Sequence, residues 1–390
     1  MKNYQFFFLA FWLSGRNLWH HLRSTLLSIC LVAFGVGLLV FSFLLTQTIE
    51  EAVLRNARGI SVVLGAKGSP LQLVLSAVFH LDRPTGNISA SAAKTFSKHP
   101  LVKKAIPLLY GDNINGARLL GTTPDYMALY GASLAHGRTW QKSMEAVAGA
   151  GIAAKMNWKI GQHLESAHGL SGDEAHEHAH HFVLVGILAP NGTVLDGLVL
   201  TSPQSVWDLH HGQDTSSAYT ALLLKARNPL ATLNLPRIIN QQPNLQAASP
   251  AQEIATLAKS LGLGRELIEN LAFVLLFLAF AGIFLGLYGI QISRMKEWQT
   301  LRQLGLSLNQ ILSLLLLEFG WLGLLGSSLG VLLGHLGIAS FLTYVQSQFF
   351  FFWPKWVFYE AEISIWFLGL IICMPLALFS SFQVYKQLKF

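Results

Sequence analysis

A short run near the middle of the chain is dense in side chains that bind metal ions. Residues 166–182 read SAHGLSGDEAHEHAHHF, with imidazoles and carboxylates crowded between 173 and 181. Imidazole nitrogen is a ligand that suits zinc, nickel and copper. In an extended chain every second residue faces one side, and in a helix residues four apart share a face, so either geometry offers two histidines together. The run predicts a metal site, with zinc as the candidate ion, formed by His176, His178, His180 and His181; the alternative is a solvated loop that binds nothing.

A glycine-rich turn at 61–70, SVVLGAKGSP, resembles a phosphate-binding loop only in composition. A Walker A loop has four residues between its glycines and a lysine directly before Ser or Thr. Here only Ala66 and Lys67 separate Gly65 from Gly68, and the lysine precedes the second glycine. We therefore predict that this turn joins a strand to a helix and binds no nucleotide.

Motifs for catalysis are missing from the sequence. It contains no H-E-x-x-H zinc-protease pattern, no nucleophile elbow and no recognisable pair of catalytic acids. We therefore predict no catalytic residues and no enzymatic activity of this chain by itself.

The overall composition is that of a membrane protein. Of 390 residues, 52% are hydrophobic and only 12% are charged, about half the charge of an average soluble domain. The 25 Phe and 10 Trp suit a chain whose aromatic rings lie at bilayer interfaces. The net charge of +7 does not indicate nucleic-acid binding, because no basic stripe with interleaved aromatic residues is present.

Four apolar stretches are long enough to cross a bilayer, which takes about 20 helical residues. They lie at about 24–47, 271–292, 311–345 and 363–385. The first lacks a small-residue cleavage site, so we interpret it as an uncleaved anchor and not as a signal peptide. The third is longer than one bilayer thickness and must tilt or project.

The basic residues in the short flanks predict the orientation of these spans. Cytoplasmic loops carry an excess of Lys and Arg. The flanks on one side contain Lys2, Arg16, Arg23, Arg294, Lys296, Arg302, Lys386 and Lys389, whereas the loop between spans three and four offers only Lys355. Both termini and the 294–310 loop are thus predicted to be cytoplasmic, and the long insert at about 49–268 extracytoplasmic.

The insert mixes strand-like runs, such as HFVLVGIL at 181–188, with helical ones, such as PAQEIATLAKSLGL at 250–263. The predicted fold class is therefore an α-helical membrane protein with four transmembrane helices and a large α+β extracytoplasmic domain between the first and second. The expected domains are a cytoplasmic amphipathic lead-in (1–23), the first span (24–48), the α+β domain (49–268, with the histidine-rich insert 166–182) and a permease domain (269–390, with a cytoplasmic helix 294–305).

The loop between spans two and three carries the most specific pattern in the chain. The stretch ISRMKEWQTLRQLGLSLNQI at 292–311 resembles the R-x-x-E-x-x-x-L-R-x-L-G segment of MacB/FtsX-type (type VII) ABC transporter permeases. Six residues match it: Arg294, Glu297, Leu301, Arg302, Leu304 and Gly305. Segments at 15–29 and 315–334 resemble the lead-in and third span of that family, and segments at 121–140, 149–164 and 182–207 resemble its MacB-like periplasmic domain.

The resemblance implies a membrane subunit in the bacterial inner membrane. It also implies a separate ABC ATPase, which binds ATP and docks on residues 294–305, and a second copy of the permease. We expect the copies to pack through the small residues of span three, at Gly323, Gly326, Gly330, Gly334 and Gly337. The substrate stays open between a lipoprotein, a small hydrophobic toxin and a periplasmic metal-binding partner protein. The alternative function is a membrane-anchored metal sensor or scaffold that is not coupled to ATP.

One acidic residue, Glu318, lies well inside a predicted span. A carboxylate there is costly, so we expect it to pair with a polar group of a neighbouring helix. A proton relay from Glu318 to His335 is not predicted, because their separation in the sequence corresponds to about 25 Å along a helix.

Overall fold

The computed structural model describes residues 3–20, 22–167, 177–209, 218–260, 294–349 and 356–388. The chain forms two compact units. The helical unit comprises Met1–Thr48, Leu263–Leu342 and Lys355–Phe390. The α+β unit comprises Ile49–Gly262 and Thr343–Pro354.

The described part of the helical unit consists mainly of helices. They are α1 (Asn3–His20), α2 (Leu22–Ala57), α10 (Met295–Gln303), α11 (Leu308–Phe349) and α12 (Glu360–Leu388). The last residues of α2 and α11 fall within the bounds of the α+β unit. Among the described residues, α2 and α11 are both long and apolar enough to cross a membrane. The predicted fourth span, 363–385, falls within α12, and its crossing of a membrane stays a prediction. The predicted second span, 271–292, lies outside the described residues.

The α+β unit contains a large mixed sheet. Its helices are α3 (Pro70–Ala77), α4 (Ala90–Ser97), α5 (Asp125–Leu129), α6 (Ala150–Met156), α7 (Pro203–Leu209), α8 (Pro229–Asn240) and α9 (Pro250–Ser260). Its strands are β1 (Val62–Ala66), β2 (Ile88–Ser89), β3 (Val102–Ile114), β4 (Ala117–Thr122), β5 (Leu134–Gly137), β6 (Glu145–Ala148), β7 (His163–Ala167), β8 (Glu177–Leu188), β9 (Leu198–Thr201), β10 (Ala218–Tyr219), β11 (Ala221–Ala226) and β12 (Leu245–Ala248). The large α+β domain predicted from the sequence is confirmed.

The order of strands across the large sheet is β12-β1-β11-β3-β4-β9-β6-β8-β5, and β7 pairs with β3 and β8. The strands β2 and β10 form a separate two-stranded sheet. The pairs β4–β9 and β6–β8 are parallel, whereas β1 pairs antiparallel with both neighbours. Because side chains alternate along a strand, Val62 and Leu64 of β1 pack with α4 and α8 on one face. Val63 packs with α3 on the other, so this part of the sheet is buried on both faces.

The glycine turn after β1 has the structure predicted from the sequence. Gly65 lies in β1, and the Ser69 side chain accepts a hydrogen bond from the backbone of Gln72 (3.4 Å) at the start of α3. Pro70 occupies the first turn of α3, where no backbone N–H is needed. A Cβ at Gly65 would clash with the Leu73 side chain, so the glycine lets α3 pack closely on β1.

A buried histidine lies among tyrosines of the α+β unit. His80 has a positive φ of 55°, and its Nε2 lies 2.7 Å from the Tyr126 hydroxyl. Its Nδ1 contacts the hydroxyl of Tyr110, which donates a hydrogen bond to the Ser76 carbonyl. Burial, followed by the nearby Arg118 cation, lowers the pKa of His80 to about 3. The imidazole therefore stays neutral at any physiological pH.

This histidine predicts how the stability of the α+β unit depends on pH. Folding lowers the pKa of His80, so below about pH 6.5 the unfolded chain takes up a proton that the folded chain does not. The free energy of unfolding is therefore unaffected by this group above about pH 6.5 and decreases as the pH falls towards about 3. At pH 4.5 the loss from this group is about 2–3 kcal/mol, at about 1.4 kcal/mol per pH unit. In His80→Asn, which tolerates positive φ, we expect a flatter pH profile of denaturant unfolding. If the free energy of unfolding changed equally with pH in the parent and the variant, His80 would not be the group responsible for the loss of stability.

Candidate functional site

The segment that carries the most specific motif forms a capped helix, α10. Arg294 is its N-cap residue, and Gly305, with φ +97°, follows its C-terminus. The Leu306 N–H donates to the Leu301 carbonyl at 3.2 Å, a bond of the type that closes a helix on a glycine. Because an L side chain rarely adopts this φ, Gly305 defines where α10 ends.

Arg294 joins α10 to α11 through a buried ion pair. Its Nη1 donates to Glu318 Oε2 at 2.9 Å, and its Nη2 donates to Glu318 Oε1 at 3.3 Å. Its Nε donates to Glu297 at 3.0 Å, and its guanidinium lies 4.8 Å from the centre of the Trp298 ring. Burial by itself would lower the pKa of Arg294, but Glu318 and Glu297 raise it above its ordinary value. The guanidinium is therefore a permanent charge at this junction.

Glu318 also accepts a hydrogen bond from the Asn17 amide, so α1 takes part in the same cluster. Arg294 and Glu318 are both almost fully buried. The expectation that Glu318 pairs with a polar group of a neighbouring element is confirmed. The sequence did not identify Arg294 and Asn17 as its partners, because neither lies near it in the chain.

The two faces of α10 have different environments. Trp298 is completely buried and packs with Ala10, Ile311, Leu314 and Leu315, and Leu301 lies against this cluster. On the other face, Glu297 is half exposed and Leu304 is 73% exposed. The sequence analysis did not identify Trp298 as the residue that anchors α10 in this cluster. The apolar spacing of Met295, Trp298 and Leu301 was the available signal.

A groove of about 680 Å³ lies between α1, α10 and α11, and we call it the coupling groove. Five of the six residues of the motif line it: Arg294, Glu297, Leu301, Leu304 and Gly305. The sixth, Arg302, donates to the Leu306 carbonyl at 3.1 Å. Leu13, Leu306 and Leu314 add apolar surface, and Arg16 and His20 add polar groups. Such a mixture suits a protein partner that inserts an apolar side chain among charged contacts.

Four of the five glycines predicted to join two copies, Gly326, Gly330, Gly334 and Gly337, pack within one chain. A Cβ added at Gly326, Gly330 or Gly334 of α11 would lie 2.6–2.7 Å from the Cβ of Val32, Val36 or Val40 of α2. Both sets repeat every four residues, so the valines of α2 follow the glycine stripe along one face. Gly337 faces Phe41 in the same way, at 3.2 Å. Close packing at these glycines is thus present, but α2 of the same chain occupies the face, and association of two copies there stays a prediction.

The histidine-rich insert falls mostly outside the described residues. This holds for His176 and for the side chains of His178 and His180. His181 lies in β8, where its Nδ1 is 3.7 Å from Glu165 and its ring centre 6.2 Å from that of His163. In the described part of the chain no three His, Cys, Asp or Glu side chains form a group that could hold a metal ion. Metal binding by the insert stays a prediction.

His335 has a partner that the sequence analysis missed. Its Nε2 lies 2.7 Å from Glu362 at the start of α12, and both residues are fully buried. The rings of Trp356 and Phe358 stack on the imidazole at 5.2 and 5.0 Å. Glu362 lies at the edge of the predicted fourth span, so its position in the sequence did not indicate burial. Glu318 and His335 thus belong to separate clusters.

Two regions of the chain match models of known protein families. Residues 25–234 match the family model of the MacB-like periplasmic core domain, and residues 270–388 match that of the FtsX-like permease C-terminal region. No curated protein matches the chain. Among solved structures, the periplasmic region of MacB from Actinobacillus actinomycetemcomitans is 15% identical, with 53% of this chain and 97% of that one covered and a TM-score of 0.37. The extracellular domain of the noncanonic ABC-type transporter YknZ from Gram-positive bacteria is 12% identical, with 48% and 99% covered and a TM-score of 0.33.

Proposed function

Because the chain belongs to the MacB/FtsX-type family of ABC transporter permeases, we propose that it transmits work from a separate cytosolic ATPase to its own α+β unit. Members of this family are inner-membrane subunits that act with a cytosolic ABC ATPase. The two long apolar helices α2 and α11 fit that setting. In our proposal both termini and α10 lie in the cytoplasm, four helices cross the membrane, and the α+β unit at about 49–268 lies outside it.

The coupling groove is the observation that carries this proposal. It presents Glu297 and Leu304 to solvent, while Trp298 fixes the opposite face of α10 in the helical unit. An ATPase that binds the groove can push α10, and the buried pair of Arg294 and Glu318 resists separation of α10 from α11. Displacement of α10 would therefore move the long helix α11.

At its other end, α2 is held by hydrogen bonds within the α+β unit. The Asn56 side chain accepts from the Val194 N–H at 2.9 Å, and its carbonyl accepts from the Tyr130 hydroxyl at 3.1 Å. Asn56 is buried, so these bonds are shielded from competing water. A helix fixed in this way moves together with the residues that bind its last turn.

Co-purification tests the proposal and separates it from its alternative. Tagged chain, extracted in mild detergent, is expected to retain an ABC ATPase subunit. Reproducible absence of an ATPase would favour a membrane-anchored metal sensor or scaffold. The proposal also includes association of two copies, a periplasmic partner and a transported substrate. The composition of the recovered complex would identify them.

Glu297→Lys is expected to uncouple the ATPase while leaving the chain folded. The change reverses the charge of a half-exposed side chain in the coupling groove. The long lysine side chain can place its ammonium group in solvent, and the buried guanidinium of Arg294 keeps its ion pair with Glu318. The measurement is stimulation of ATP hydrolysis by the permease in liposomes. Lys296→Glu reverses an exposed charge on the same helix and is the matched control, because Lys296 does not line the groove. Unaltered stimulation by Glu297→Lys would contradict docking at this groove.

Deletion of residues 173–181 is expected to abolish zinc binding by the α+β unit. Neutral imidazoles are the ligands available near neutral pH, so removing them removes the donor set. Titration calorimetry of the full chain with zinc, with and without the run, measures the effect. Replacing the same histidines by glutamine keeps the length of the run, including residues 177–181 at the start of β8, and is the control for folding. Equal binding by the deletion variant would place any metal site elsewhere.

A further inference from the structure

A second groove lies between α1, α2 and α11 and has a volume of about 750 Å³. Its walls are apolar and aromatic, with Phe11, Trp12 and Trp19 from α1 and Trp321 from α11. Thr25 is one of its few polar lining residues, and its hydroxyl already donates to the Leu18 carbonyl at 2.9 Å. The volume lies within the range of about 300–1,000 Å³ that holds small-molecule ligands.

Arg16 supplies the charge of this groove. Its guanidinium lies 5.1 Å from the centre of the Trp12 ring, and within the described part of the chain no carboxylate pairs with it. None of the residues that line the groove is acidic. An anion with an apolar tail would therefore meet a cation at one point and hydrocarbon-like surface elsewhere.

Exposed aromatic side chains surround Arg16. Trp19 is 77% exposed and Trp12 is 52% exposed, which is typical of rings at the boundary between lipid and water. The positive flanks predict that this end of α2 faces the cytoplasm, where anionic headgroups attract basic residues. We propose that this groove binds one anionic phospholipid of the cytoplasmic leaflet, with its phosphate at Arg16 and an acyl chain along Phe11, Leu26 and Trp321.

A glycine in the groove offers a way to block it without disturbing the fold. A Cβ added at Gly15 would meet no atom within 4 Å, so Gly15→Phe can place its ring in the groove. Gly320 of α11 is the matched control, since a Cβ there also meets nothing and the residue lines a neighbouring apolar groove without any charged side chain.

Native mass spectrometry of the delipidated full chain tests the proposal, with phosphatidylglycerol and phosphatidylcholine of identical acyl chains as probes. We expect the parent to prefer phosphatidylglycerol about fivefold, which corresponds to about 1 kcal/mol for one basic residue. Gly15→Phe should weaken binding of both lipids at least about tenfold, whereas Gly320→Phe should bind like the parent. Arg16→Gln should abolish the preference, and Arg16→Lys should keep it.

Equal retention of both lipids by the parent would overturn the proposal, because it would show a shell of non-specific lipid only. Equal binding by Gly15→Phe and Gly320→Phe would also overturn it, as would loss of a crosslinked dimer in Gly15→Phe with unchanged lipid binding. If Gly15→Phe does not fold, as judged by thermal unfolding, the comparison of Arg16→Gln with Arg16→Lys decides. The test needs no ATPase, so its result is independent of the proposed coupling function.

Discussion

Glu318→Ala is expected to destabilise the helical unit by about 3–5 kcal/mol, the usual cost of removing one partner of a buried ion pair. The change leaves the guanidinium of Arg294 buried, and among the described residues only the half-exposed Glu297 then acts as its counter-ion. It also removes the acceptor of the Asn17 amide. Thermal unfolding of the full chain in detergent measures the loss.

Glu297→Ala is the matched control for this prediction. It removes the other carboxylate from the same guanidinium, but at a side chain that is 49% exposed, where the expected cost is about 0–1 kcal/mol. Equal destabilisation by the two variants would contradict the assignment of Arg294 and Glu318 as the main connection between α10 and α11.

A double variant separates stability from coupling. Replacing both members of a buried pair by apolar side chains is often neutral or stabilising, so Arg294→Met with Glu318→Leu should recover much of the stability lost in Glu318→Ala. Arg294 also lines the coupling groove, and its loss should still reduce stimulation of the ATPase. If the double variant recovered both its stability and its stimulation of the ATPase, the charges of Arg294 and Glu318 would be needed only to hold α10 against α11.

Gly330→Leu is expected to prevent normal packing of α2 on α11. A Cβ at this position would lie 2.7 Å from Val36 Cβ and 2.8 Å from the Ala33 carbonyl oxygen. The second contact is with backbone, so a change of side-chain rotamer cannot relieve it. Overpacking typically costs about 1–3 kcal/mol, and a larger loss is expected where two helix backbones must separate. The fraction of monodisperse protein and its unfolding temperature measure the effect.

Gly320→Leu is the control, because it makes the same substitution on the same helix at a position where a Cβ meets nothing within 4 Å. Both variants gain the same helix propensity relative to glycine, so a difference between them reports packing. Equal stability of Gly330→Leu and Gly320→Leu would contradict the packing of α2 on the glycine stripe. A stable Gly330→Leu that loses crosslinked dimers would instead assign the stripe to contacts between copies.

Local chemistry by itself determined several features of this protein. Ser69 and Pro70 start α3, and Gly305 ends α10, because helix termini depend on residues within one turn. The long apolar stretches of α2 and α11 follow from the number of residues needed to cross hydrocarbon. The motif from Arg294 to Gly305 indicated the family without any knowledge of contacts.

Only the tertiary structure identified which residues that are distant in the sequence contact each other. The sequence marked Glu318 as a costly buried charge but not Arg294 as its partner, and it left His335 without Glu362. Glycines at 326, 330 and 334 predict close packing, yet a small-residue stripe accepts a helix of the same chain or of a second copy equally well. The structure shows that the valines of α2 pack on these glycines, because burial and pairing depend on distance in space and not on distance along the chain. Association of two copies at the same glycines stays a prediction.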